Sequence, residues 1–155
     1  MRYSNKRLLQ MMSCLVLVGI SQVQADDQWL KTLHKMSPAV ESIKQVCPWR
    51  SANAQGVIRL MKVDEKGAHK LYVQWLRKGI AGTADLPMST VAVSEINDHN
   101  YYRFNLPEGR LLSGACSIDT IMEDIVNERR FRLTVHLMGP GDYKAHISSL
   151  LDATP

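Results

Sequence analysis

Three cysteines and five histidines are the residues of this 155-residue chain best able to carry chemistry. Cys14 sits in an apolar run near the start, while Cys47 and Cys116 lie far apart with no C-x-x-C spacing around them. Neither has a nearby histidine in a setting that would make a reactive thiolate, so a structural pair is the simpler reading. In an oxidising compartment two cysteines have one connectivity, Cys47–Cys116, and the bridge would close a loop of about 70 residues.

His136 and His146 flank the turn Gly139-Pro140-Gly141. With Val135, Leu137, Tyr143, Ala145 and Ile147 on the inner face of two strands, the register sets His136 across from His146, within reach of one ion. Zinc takes three or four ligands, and the spacing names no third, so the pair reads first as exposed histidines and only second as a metal site. His34, His69 and His99 each lack a partner defined by spacing. No G-x-S-x-G elbow is present, and Gly79-Ile-Ala-Gly82 lacks the Lys-Ser/Thr of a phosphate loop. Asp64-Glu65 and Glu123-Asp124 are adjacent pairs whose side chains diverge on a strand or helix. No catalytic residue and no cofactor is assigned.

Two groups suit contact with another molecule. Arg129-Arg130-x-Arg132 is the densest basic cluster; it follows Glu123, Asp124 and Glu128 and reads as a solvated turn, or as a contact for an acidic protein or lipid headgroup. Ile96, Tyr101 and Arg103 share one face at a hairpin end, extended by Trp75 and Arg77 on a neighbouring strand. Tyr, Arg and Trp are the types most enriched at binding hot spots.

The elements that must position these residues begin after a leader. Arg2, Lys6 and Arg7 precede a mostly apolar run from Leu8 to Ile20, and Val23-Gln24-Ala25 fits small-residue cleavage chemistry. A spanning helix needs roughly 20 apolar residues, so residues 1–25 read as a cleaved signal peptide, with no stable membrane anchor and a periplasmic or secreted product. The leader holds three of the 19 Lys and Arg and none of the 15 Asp and Glu, which leaves the mature chain at +1 instead of +4. A nearly neutral domain lacks the electrostatic footprint of a nucleic-acid binder.

Residues 26–155 are long enough for one core and form a single α+β domain. Trp29, Leu33, Met36, Val40 and Ile43 recur at helical spacing, which predicts a helical segment over 27–46, interrupted at Ser37-Pro38. Strands are expected over 57–63 and 70–77, then a hairpin pairing 88–96 with 101–106. A strand over 110–118 precedes a short helix over 119–127, and two strands follow over 131–138 and 143–147. The sum is an N-terminal helical segment stapled by Cys47–Cys116 onto an antiparallel sheet of about six or seven strands. The implied function is a non-enzymatic protein-binding module of the bacterial envelope, inhibitor- or immunity-type, whose partner is another envelope or secreted protein. Small-ligand or metal binding is the alternative, and an enzyme of unfamiliar type stands third.

Overall fold

From Val40 onward apolar side chains mostly alternate with polar ones, a pattern that buries one face of an extended chain. The structure, a computed structural model, describes residues 35–150. The strands are β1 (Val40–Arg50), β2 (Gln55–Glu65), β3 (Ala68–Arg77), β4 (Leu86–Ala92), β5 (Tyr102–Phe104), β6 (Gly109–Leu112), β7 (Ala115–Asp124), β8 (Arg129–Leu137) and β9 (Tyr143–Ser149). Among the described residues, regular helix is confined to α1 (Ser94–Asn97), and no helix is long and apolar enough to cross a membrane.

Two antiparallel sheets result. The first runs β1-β2-β3-β4; the second runs β5-β7-β8-β9, with β6 pairing β7 beyond the end of β5. Lys66 and Gly67 (φ 57° and 87°) make a two-residue turn between β2 and β3, and Ser113 and Gly114 (φ 48° and 84°) make another between β6 and β7. Left-handed conformation at both central positions matches the right-handed twist of a hairpin. Pro48 lies in β1 and Pro87 in β4, the two edge strands of the first sheet, where a missing backbone donor is tolerated.

Both inner faces feed one core. Ile58, Leu60, Leu71, Val73 and Trp75 come from the first sheet; Phe104, Ile118, Met122, Leu133, Val135 and Leu137 come from the second. Each such side chain, fully buried, contributes about 1.5–3 kcal/mol. The bridge Cys47–Cys116 joins β1 to β7 across this core, with Cα atoms 6.0 Å apart and both cysteines buried. A buried disulfide of this kind is the mark of an oxidising environment. Gly109 packs directly on it: a Cβ there would stand 2.8 Å from Cys47 Sγ and 2.7 Å from Val46 Cβ, so no larger residue fits unshifted.

The chain passes from one sheet to the other between Val93 and Tyr102. Lys70, only 5% exposed, fixes that passage by donating to Asn97 O (2.7 Å), His99 O (2.9 Å) and Asn100 Oδ1 (2.6 Å). Asn97 Oδ1 in turn accepts from the Leu71 N–H at 2.8 Å.

The expected α+β class is overturned: the described chain is nearly all β, with sheets of four and five strands and no N-terminal helical segment. Residues of the expected 27–46 helix before 35 lie outside the described residues, but Val40–Val46 belong to β1. Two bulges break that strand's alternation, one at Glu41 and one at Val46, so its apolar spacing imitates a helix. Of the expected helix over 119–127, residues 119–124 are the second half of β7 and 125–127 belong to the turn into β8. Ile118 and Met122 are four residues apart, a spacing that serves a helix and a strand equally, and both point inward. The expected hairpin of 88–96 with 101–106 does not form, because β4 pairs with β3 while β5 pairs with β7. The expected strand over 110–118 is itself a hairpin, β6–β7.

Reducing the bridge, or replacing Cys47 and Cys116 together by Ser, should remove about 4 kcal/mol of stability. Calorimetry should then show the melting temperature lower by about 10 °C or more; an unchanged melt would exclude a stabilising role.

Candidate functional site

Residues out of phase with the core line the outer face of the second sheet. Cross-strand register places Arg103, Glu123 and Arg130 in one row, Ile121, Arg132 and Ser148 in the next, and Asp119, Thr134 and His146 in the third. Ser117, His136 and Lys144 follow. Arg110 on β6 reaches the same face and meets Asp119 at 3.1 Å. The bases Arg103, Arg110, Arg130, Arg132 and Lys144 outnumber the acids Asp119 and Glu123, and all five bases are exposed. Among the described residues, no carboxylate lies within ion-pair distance of Arg130, Arg132 or Lys144. Ile121 is 55% exposed in the middle of the face.

At one end this face opens into a cleft of about 520 Å³ lined by Arg103, Glu123, Asp124, Ile125, Glu128 and Arg130. Asp124 builds its wall. Its carboxylate accepts from the N–H of Val126 (2.9 Å) and Asn127 (3.0 Å) and from Asn127 Nδ2 (2.8 Å). The Asn127 side-chain amide, helped by those backbone donors and by Arg129, holds this carboxyl below the usual range against the opposing effect of burial.

The residues expected to form a partner patch are dispersed. Trp75 and Ile96 are wholly enclosed in the core, and the Trp75 indole N–H meets no acceptor among the described residues. Arg77 is exposed at the end of β3, whereas Arg103 lies at its start, where Nε donates to Gly67 O at 2.8 Å. Tyr101 is half-buried against Tyr102 and His99, its hydroxyl 3.0 Å from His99 Nδ1. Of this set only Arg103 belongs to the basic face. His136 and His146 are exposed on that face, but the register is two residues away from the expected one: His136 opposes Lys144 and His146 opposes Thr134. A five-residue connection, Met138–Asp142, sets that offset.

A second polar cluster sits where β1, β2 and β3 meet β5. One ligand atom each from Glu41, Asp64 and His69 lies within 4.8 Å of the others. Lys62 Nζ stands 2.7 Å from Glu41 Oε2 and His69 Nε2 3.6 Å from it. The other imidazole nitrogen, Nδ1, is 2.9 Å from both the N and the O of Phe104, which ties the two sheets together. Sequence reasoning left His69 without a partner. Assigning the turn to Lys66-Gly67 alone would have set Asp64 opposite His69, as the structure has it; nothing local announces Glu41, which enters through the β1 bulge.

No family model, curated protein or solved structure matches the chain. What fold and site define is a class: a two-sheet, disulfide-stapled β domain with a basic outer face.

Two ionisable groups contribute to the pH dependence of stability. Asp124, with its carboxyl held low, contributes stability above the unfolded value of about 3.9, and that contribution is lost as pH falls through its lower folded value. Tyr102 is pushed up to about 12 by burial and then by its neighbour Tyr101. Its contribution is full below an unfolded value of about 10 and is lost as pH rises from there towards 12. Thermal melts against pH should therefore show an acid limb flattened by Asp124→Asn and an alkaline limb flattened by Tyr102→Phe; limbs that match the wild type in either variant would remove that group from the account.

Proposed function

We propose that this is a non-enzymatic protein-binding module, inhibitor- or immunity-type, which presents the basic outer face of its second sheet to an acidic surface on another envelope or secreted protein. The observation that carries the reading is the sorting of charge: a chain nearly neutral after its leader collects Arg103, Arg110, Arg130, Arg132 and Lys144 on one strand-built face. Strands hold these cations at fixed spacing, and like charges held together raise the potential that steers an acidic partner. The exposed Ile121 among them supplies apolar contact where a docked partner would exclude water.

In this reading residues 1–25 are an export leader cut after Ala25, and the remaining domain works in the periplasm or outside the cell. The buried disulfide supports an oxidising compartment. Arg103 joins this reading, while Tyr101 serves by bracing the crossover behind it.

The test is capture from an envelope extract, with the oxidised chain from Asp26 as bait beside a bait carrying Arg130→Glu and Arg132→Glu. The wild-type bait should retain one stoichiometric, acidic protein that raised salt releases, and the reversed bait should hold it at least tenfold less tightly, about 1.4 kcal/mol. Equal retention by both baits would remove the basic face from the function. Binding of the wild-type bait to anionic lipid vesicles, in place of a protein, would transfer the face to a membrane surface.

A further inference from the structure

We propose that Glu41, Asp64 and His69 form a binding site for a divalent transition-metal ion such as Zn²⁺. The three donors come from adjacent strands, β1, β2 and β3, at the end of the first sheet, and their ligand atoms all lie within 4.8 Å of one another. Around a tetrahedral ion with bonds of roughly 2.1 Å, neighbouring ligand atoms stand about 3.4 Å apart. His69 Nε2 and Glu41 Oε2 are already 3.6 Å apart, so closure around an ion needs only small movements.

Each donor is oriented by something outside the trio. His69 Nδ1 lies 2.9 Å from both Phe104 N and Phe104 O. An ion at Nε2 selects the tautomer in which Nδ1–H donates to Phe104 O, in place of the one in which Nδ1 accepts from the Phe104 N–H. A backbone carbonyl behind an imidazole is the usual support of a metal-bound histidine. Asp64 Oδ1 accepts from the Gly67 N–H at 2.9 Å, which fixes that carboxylate across the turn. Glu41 is the extra residue of a β-bulge between Val40 and Ser42, a device that re-aims a side chain out of the regular alternation. One imidazole with two carboxylates suits Zn²⁺ and its neighbours better than Ca²⁺, which collects six to eight oxygens. Three protein ligands leave a coordination position for water or for a side chain of a bound partner.

Lys62 gives the proposal its sharpest check. Its ammonium stands 2.7 Å from Glu41 Oε2 and neutralises the carboxylate that the ion would take. Lysine and metal therefore compete, and the ion binds only as Lys62 swings aside.

The experiment is calorimetric titration of Zn²⁺ into the metal-stripped, oxidised mature chain, with Co²⁺ absorption reporting the coordination. One ion should bind per chain, with the d–d bands of a low-coordinate site. Affinity should fall at least tenfold in His69→Ala and in Glu41→Gln with Asp64→Asn, the latter keeping the side-chain shapes, and should rise in Lys62→Met. Replacing His136 and His146 by Ala should leave the stoichiometry at one. No saturable uptake by the wild type would overturn the proposal, as would uptake that survives both the His69 and the paired carboxylate variants, or uptake that disappears with His136 and His146.

Discussion

Two sheets that each carry one apolar face can hide both from water by covering each other, and most of what is particular about this chain follows from that constraint. Strands β1–β4 and β5–β9 share one layer of side chains, in which Trp75, Leu60, Met122 and Leu137 are fully enclosed. The backbone must then leave the first sheet and enter the second without abandoning polar groups inside. Lys70 answers this: a nearly buried ammonium is tolerable because three oxygens of the crossover surround it and the Glu65 carboxylate stands 3.5 Å away. His69, the preceding residue, stitches the same region by bonding to the Phe104 backbone. The disulfide closes the far side by tying edge strand β1 to central strand β7, which explains why β6 needs a glycine where it crosses that bridge.

The sequence made the later strands legible and the ends of helical-looking stretches deceptive. Phe131, Leu133, Val135 and Leu137 alternate without interruption, and the structure has them inward as a period of two demands. The Cys47–Cys116 pairing was likewise readable, because two cysteines leave one choice. Val40 to Val46 misled because bulges break a strand's phase, and a broken period of two can pass for a period of 3.6. Ile118 and Met122 misled for a simpler reason: four is common to both rhythms. Hairpin logic failed at Asn97–Asn100, where turn-forming residues mark a passage between sheets. That passage is held by contacts with Lys70 and Leu71, some 26 to 30 residues earlier, which no local window contains.

The candidate sites were less legible than the strands because faces depend on register. Arg130 and Arg132 were visible as a cluster, but their company with Arg103, Arg110 and Lys144 exists only once five strands are laid side by side. Trp75 and Ile96 have the chemistry of a binding surface and the burial of a core. Residue type alone does not separate those roles. The Glu41–Asp64–His69 cluster shows the opposite case: commonplace residues become a defined group because a bulge and a tight turn deliver them to one place.

The prolines in the bordering strands have a consequence for how copies of this molecule treat one another. A sheet grows when its rim offers an unbroken row of backbone donors and acceptors to a newcomer. Here Pro48 interrupts the row along β1 and Pro87 the row along β4, and one rim of the opposite sheet is divided between strands of only three and four residues; its other rim, β9, is a seven-residue strand without proline. Backbone templating, the least selective form of association open to a β-rich chain, is thereby discouraged at three of the four rims. At those three rims a newcomer meets side chains or short strands in place of a continuous backbone row, so any fusion of sheets between copies would run through β9.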